Sequence, residues 1–101
     1  MKFAKKSLGQ NFLIDKNIVK KIVNTTNISN KNILEIGPGE GSLTDEILKK
    51  KPKSLILIEK DNILFNHLKY KYKDKKNIKL YNNDILKFDL ERNMLDQTII
   101  F

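Results

Sequence analysis

The feature of this chain that most constrains its fold is a glycine-rich turn at residues 35–41, with the sequence EIGPGEG, directly after an apolar run. A segment with helical spacing begins at Ser42. The order of strand, glycine turn and helix is how an α/β sheet presents its backbone to a nucleotide-like ligand. Glycines belong in such a turn because side chains would block the ligand and because a positive φ strains other residues. The turn therefore predicts a ligand site at the first strand–helix junction.

The glycine spacing and the charge beside it bear on which ligand is bound. A dinucleotide fingerprint reads Gly-x-Gly-x-x-Gly and holds a pyrophosphate at the helix N-terminus. Here the third glycine, Gly41, comes one position early after Gly37 and Gly39, and Glu35 would repel a diphosphate. S-adenosylmethionine (SAM), which has a cationic amino-acid end, suits Glu35 better. The alternative is a turn that serves the fold alone, although three close glycines weaken a fold that makes no use of them.

Size and composition narrow the classes of protein. A chain of 101 residues holds at most one domain, and a formal net charge of +8 suggests a nucleic-acid partner. Abundant Lys, Asn and Ile also fit a drift in composition across the whole chain. Without cysteine there is no disulfide or thiolate metal site, and one histidine, His67, cannot build a metal cluster. No apolar run approaches a membrane span, and the N-terminus does not read as a signal peptide, which predicts a cytoplasmic protein.

The apolar pattern predicts the order β-α-β-α-β-x-β behind an N-terminal arm. This is the first half of a doubly wound, Rossmann-like α/β sheet of the class I SAM-dependent methyltransferase type. The predicted elements are an arm at 1–14, a helix from Asp15 to about Thr26, strands at 32–36, 54–59, 77–81 and 98–101, and helices beginning at Ser42 and after Asp61. Because the chain stops inside a core-type strand, we expect a fragment, truncated in or just after strand four. Its exposed sheet edge favours self-association.

Helical spacing also predicts which side chains are buried. The first helix would bury Ile18, Val19, Ile22 and Val23, and the third would bury Ile63, Leu64, His67, Leu68 and Tyr72. Tyr70 is expected to cover the core or its rim. Ser42 and Asp45 have the spacing of a capping box, and Asp61 is a predicted N-cap.

Two acidic residues stand where ligands of open α/β sheets gather, outside the carboxyl ends of the strands. Glu59 follows the second strand, where a carboxylate can accept both ribose hydroxyls, and Asp84 follows the third, where it could accept an adenine amino group. The simpler interpretations are a solvated strand-end charge for Glu59 and a turn-forming role for Asp84.

Together these segments resemble the ribosomal-RNA adenine dimethyltransferase family, whose bacterial members are called KsgA. The matching stretches are LGQNFLID at 8–15, EIGPGEGSLT at 35–44, IEKD at 58–61 and NDIL at 83–86. The resemblance implies SAM binding by Asn11, Leu13, Gly37, Glu59 and Asp84, with Gly39 allowing close approach. It implies dimethylation of two adjacent adenines near the 3′ end of small-subunit rRNA, without a metal.

The resemblance also places the catalytic motif, Asn-Leu-Pro-Tyr, just beyond Phe101, so no catalytic residue is expected in this chain. Lys5 and Lys6 are candidates for phosphate contact. Three alternatives stay open: a macrolide-resistance-type methyltransferase of large-subunit rRNA, a nicotinamide-dinucleotide enzyme, and a non-catalytic RNA-binding module.

Overall fold

The chain folds as a parallel sheet with helices packed on it. A computed structural model describes residues 16–93 and 98–101. The elements are α1 (Lys16–Asn24), β1 (Asn32–Ile36), α2 (Ser42–Lys49), β2 (Ser54–Ile58), α3 (Asn62–Lys71), β3 (Ile78–Tyr81), a 3₁₀ turn (Ile85–Lys87), α4 (Leu90–Asn93) and β4 (Thr98–Ile100). The predicted order of strands and helices is confirmed. The Asp15 cap and the arm at 1–14 lie outside the described residues.

The sheet has the strand order β3-β2-β1-β4, and each neighbouring pair is parallel. The chain thus builds outward from β1 to β3 and then crosses back to place β4 on the other side of β1. In open sheets of this kind, the ligand crevice lies where the direction of winding reverses, outside the carboxyl ends of the strands. Here that point is the end of β1, where the glycine turn begins.

Both faces of the central strands are covered, which explains their unbroken apolar runs. One face packs under α1, α2 and α3; its fully buried side chains include Ile33, Leu55, Leu57, Ile47 and Leu68. The opposite face carries Leu34, Ile56 and Ile58, against which Tyr81, Ile85, Phe88 and Leu90 pack. The segment after β3 is therefore the cover of the second face, and the Tyr81 and Phe88 rings meet edge to face at 5.0 Å.

Several predicted burial positions are wrong because the buried stripe of each helix is narrower than the spacing suggested. In α3 the buried side chains are Leu68 and, at its C-cap, Tyr72, whereas His67 is exposed and Ile63 is 80% exposed. Leu64 is half-buried. Leu64, Leu68 and Tyr72 follow a four-residue step, and Ile63 and His67 on one side of this line face solvent.

The same correction applies elsewhere. Ile18 of α1 is 48% exposed while Val23 is buried, and Tyr70 is 72% exposed. The predicted capping box of Ser42 and Asp45 does not form: Gly41 is the N-cap of α2, and no side chain caps it. Asp61 does cap α3, since its side chain accepts a hydrogen bond from the Leu64 N–H at 2.9 Å.

Among the described residues, no helix has the length and apolar character needed to cross a membrane. The same residues contain no group of three or more potential metal-binding side chains of the His, Cys, Asp or Glu type.

Candidate functional site at the carboxyl edge

The glycine turn takes the positive φ angles that its sequence predicts. Gly37, Gly39 and Gly41 have φ of 64°, 63° and 97°. The turn starts against β2, where the Gly37 N–H donates to the Ile58 carbonyl at 2.9 Å, and closes with the Gly41 N–H donating to the Pro38 carbonyl at 3.0 Å. A Cβ on Gly37 would meet none of the described residues within 4 Å, so this backbone is open on that side within the described part of the chain.

Glu59 joins the first two strand ends. Its Oε1 accepts the Gly39 N–H at 3.0 Å, and its Oε2 accepts the Asp61 N–H at 2.9 Å. The residue is only 2% exposed. The interpretation of Glu59 as a solvated charge is therefore wrong, because its carboxylate holds the turn after β1 against the turn after β2. Hydrogen bonds to a carboxylate are stronger than those between neutral groups, which makes this a firm link.

Asp84 lies at the neighbouring strand end and already has a local role. Its Oδ1 accepts the Leu86 N–H at 2.9 Å and caps the 3₁₀ turn. Its Oδ2 lies 3.9 Å from the Lys60 Nζ. Sequence reasoning missed Asn82, whose side-chain amide donates to the carbonyls of Glu59 at 2.9 Å and Lys60 at 3.2 Å. Asn82 thereby fastens the end of β3 to the end of β2.

Glu35 is buried rather than exposed beside the turn. It is 0% exposed, and the Thr44 hydroxyl donates to its Oε1 at 2.5 Å. Its Oε2 has no hydrogen-bond partner among residues 16–93 and 98–101. Removal from water raises the pKa of this carboxyl from 4.5 to about 7, against the opposing effect of the Thr44 hydrogen bond. The structure thus does not present Glu35 as a surface charge that would select a ligand.

A second contact set holds the far end of the glycine turn. The Tyr72 hydroxyl donates to Asp45 Oδ1 at 2.6 Å and lies 3.3 Å from the Gly41 carbonyl. The Lys71 Nζ reaches Asp45 Oδ2 at 2.9 Å and the Glu40 carbonyl at 3.1 Å. The C-terminal end of α3 therefore clamps the start of α2. Sequence reasoning expected Tyr72 only as a core residue, and no local pattern marks this contact between segments far apart in the chain.

The structure brings Gly37, Gly39 and Glu59 together directly, and it places Asp84 at the adjoining strand end through Asn82 and Lys60. The other predicted site residues, Asn11, Leu13, Lys5 and Lys6, lie outside the described residues. What the site offers is a glycine backbone beside open space, next to a carboxylate held by two N–H donors. Such an edge suits a neutral or cationic nucleoside-like ligand better than a phosphate.

Comparison with known proteins identifies the family. The family described as "Ribosomal RNA adenine dimethylase" matches residues 1–100. The chain belongs to this family. This membership excludes the alternative that the glycine turn belongs to a nicotinamide-dinucleotide enzyme.

Relatives within the family are close in sequence. The chain is 55% identical over 96 residues to "Ribosomal RNA small subunit methyltransferase A" of Pelagibacter ubique, covering 95% of this chain and 36% of the relative. It is 60% identical over 73 residues to the protein of the same name from Mycoplasmopsis synoviae, covering 72% of this chain and 28% of the relative. The chain thus spans about a third of the length of these curated relatives.

Solved structures support the same placement. The chain matches the 23S rRNA methyltransferase ErmE with a TM-score of 0.67 at 32% identity, over 78% of this chain and 32% of that one. It matches a dimethyladenosine transferase from Plasmodium falciparum with a TM-score of 0.67 at 30% identity, over 78% and 30% of the two chains. The fold comparison and the family match therefore lead to the same assignment.

Proposed function

We propose that the protein containing this chain is a SAM-dependent enzyme that dimethylates two adjacent adenines near the 3′ end of small-subunit rRNA, in ribosome biogenesis. The chain supplies the SAM-binding half. The single observation that carries the proposal is the Glu59 carboxylate, which fastens the glycine turn at the carboxyl edge of a sheet in an adenine-dimethylase chain. Its relatives of 55% and 60% identity are named as small-subunit methyltransferases.

The residues at this edge fit SAM. A side-chain-free backbone at Gly37, clear of the other described residues, leaves room for the ligand. Gly39, with a φ of 63°, is proposed to let the turn come close. A carboxylate can accept more than two hydrogen bonds, so holding the turn does not prevent Glu59 from accepting ribose hydroxyls. The side chain of Asp84 is 27% exposed, within reach of an adenine amino group bound beside β3. Asn11 and Leu13 of the arm complete the proposed set.

Bound SAM would supply an electrophilic methyl group, and the sulfonium sulfur that carries it would leave as a neutral sulfide. The described residues of this chain contribute position: the clamped glycine turn and the Glu59 link fix where the nucleoside end lies before the methyl acceptor arrives. Such positioning converts a bimolecular reaction into an effectively unimolecular one. The residues that polarise the adenine amine are proposed to lie after Phe101, in the Asn-Leu-Pro-Tyr motif that the resemblance implies.

We also infer the domain organisation and the partners from the resemblance to the adenine dimethyltransferases. Residues 1–101 form a partial SAM-binding domain, with an arm at 1–14 and a β/α core at 15–101. The partner is small-subunit rRNA within the pre-ribosomal particle in the cytoplasm, with Lys5 and Lys6 contacting phosphate. The proposed surface for self-association is the edge of the sheet beyond β4, which pairs with β1.

A second candidate is methylation of large-subunit rRNA, as in the macrolide-resistance enzymes. It is favoured by the 32% identity to ErmE, whose structure is named as that of a 23S rRNA methyltransferase. Methyl transfer from labelled SAM to isolated small and large ribosomal particles discriminates the two. We expect the full-length protein to label the small particle, and label on the large particle alone would select the second candidate.

The cofactor proposal is tested by calorimetric titration of the full-length protein with S-adenosylhomocysteine. We expect binding by the unaltered protein, a loss of at least about tenfold in Glu59→Gln, and no change in Glu46→Gln. Glu46 is a suitable control because its carboxylate pairs with Lys49 of the same helix at 2.9 Å and, within the described part of the chain, accepts no hydrogen bond from the glycine turn. Absence of binding by the unaltered protein would reject SAM as the cofactor.

A further inference from the structure

Seven exposed lysines lie at the edge of the sheet opposite the candidate site. In an α/β sheet the helices run back against the strands, so helix C-termini and strand N-termini share one edge. The loops at this amino edge carry Lys31, Lys50, Lys51, Lys53, Lys73, Lys75 and Lys76, and all seven are exposed. We call this set the lysine rim. The only carboxylate in the same three loops, residues 25–31, 50–53 and 72–77, is Asp74.

The three loops are tied into one surface. The Lys53 N–H donates to the Lys31 carbonyl at 2.7 Å, and the Asn30 N–H donates to the Lys51 carbonyl at 3.0 Å. The third loop joins through Asn77, whose side-chain amide donates to the Pro52 carbonyl at 3.3 Å. The lysines therefore project from a connected backbone, and within residues 16–93 and 98–101 none of them has an ion pair.

The opposite edge has the reverse charge. The turns at 37–41, 59–61 and 82–84 carry Glu40, Glu59, Asp61 and Asp84, with Lys60 as their one basic residue. That lysine lies 3.9 Å from the Asp84 carboxylate. A uniform drift in composition would place lysines at both edges. Favourable interaction with helix dipoles explains basic residues just after a helix, but not Lys31 and Lys53, which directly precede strands.

We propose that the lysine rim binds the phosphate backbone of structured RNA, at a surface separate from the cofactor edge. This rests on the proposed function, because ribosomal RNA is the polyanion that the family name supplies. The rim lysines that precede β1 and β2 lie about 17 Å from the carboxyl ends of these five-residue strands, so they contact phosphates away from the bases beside the cofactor crevice. The occupant of the rim in this proposal is a folded, double-helical part of the same RNA.

The test uses the full-length protein and a fluorescein-labelled 24-base-pair RNA duplex, with binding followed by anisotropy from low to moderate salt. The rim variant carries Lys31→Gln, Lys53→Gln and Lys76→Gln, one change in each loop. The control variant carries Lys20→Gln, Lys21→Gln and Lys87→Gln, which remove the same charge from exposed positions outside the three loops. Each phosphate contact contributes roughly 0.7–0.9 to the slope of log affinity against log salt.

We expect the rim variant to lose about 2 from that slope and about tenfold in affinity at physiological salt, with the control variant within twofold of the unaltered protein. Equal losses in both variants, or none in the rim variant, would overturn the proposal. If the rim variant lost binding to phosphatidylserine vesicles but bound RNA as well as the unaltered protein, the proposal would be overturned in favour of a membrane surface. Titration with S-adenosylhomocysteine must stay unchanged in both variants, which separates this result from failure of the cofactor site.

Discussion

The clamp on the glycine turn predicts that two glycines of the same turn respond very differently to alanine. Gly41 has a φ of 97°, and a Cβ there would collide with the Tyr72 hydroxyl and lie 3.0 Å from the Lys71 Nζ. Gly37 has a φ of 64°, and a Cβ there would meet no described residue within 4 Å. Both substitutions strain the backbone, but only Gly41→Ala must also displace the clamp.

The magnitudes follow from these two contributions. A left-handed conformation costs a non-glycine residue about 1–2 kcal/mol. Displacing the Tyr72 hydroxyl from Asp45 and the Gly41 carbonyl adds about 1–2 kcal/mol, because a buried hydrogen-bonding group loses its partners. We therefore expect Gly41→Ala to lower the free energy of unfolding by about 2–4 kcal/mol and Gly37→Ala by about 1–2 kcal/mol. Urea denaturation followed by circular dichroism measures both.

A double-mutant cycle isolates the collision. Tyr72→Phe removes the hydroxyl while keeping the ring in the core, so Gly41→Ala in that background should cost only the backbone strain. The expected coupling between the two substitutions is about 1–2 kcal/mol. Tyr70→Phe is the matched control, since Tyr70 is exposed and its removal should show no coupling. Equal costs at Gly37 and Gly41, together with additivity at Gly41 and Tyr72, would refute the clamp.

Two further predictions concern buried carboxyl groups. Glu59→Gln should lower the free energy of unfolding by about 2 kcal/mol in the same denaturation assay, because an amide cannot accept both the Gly39 and Asp61 N–H groups; an unchanged midpoint would contradict the link. Glu35 has a folded pKa of about 7 against 4.5 when unfolded, so the folded state binds the extra proton and stability falls as pH rises through this window, by on the order of 3 kcal/mol. Glu35→Gln should flatten that part of the pH profile, and a profile of the same slope in the variant would show that Glu35 is not its source.

Local and long-range interactions determine different parts of this structure. The sequence alone determined the elements, since the apolar runs of the strands, the glycine turn and the Asp61 cap depend on residues close together in the chain. It also determined which three strand ends carry the candidate site, because parallel strands place their carboxyl ends at one edge. The family resemblance, through the arm and the glycine turn, pointed to the adenine dimethylases, and the family match confirms it.

Only the tertiary structure decided how these parts meet. The placement of β4 beside β1, the burial of Glu35 against Thr44, and the use of Glu59 to hold the glycine turn all depend on contacts between separate segments. The same is true of the Tyr72 clamp, which joins Tyr72 to Gly41 and Asp45, at sequence separations of 31 and 27. Helical spacing also overestimated the buried stripe of α3, because it marks which residues share a side but not how widely the sheet covers it. Such facts arise from packing in three dimensions, and no local pattern records them.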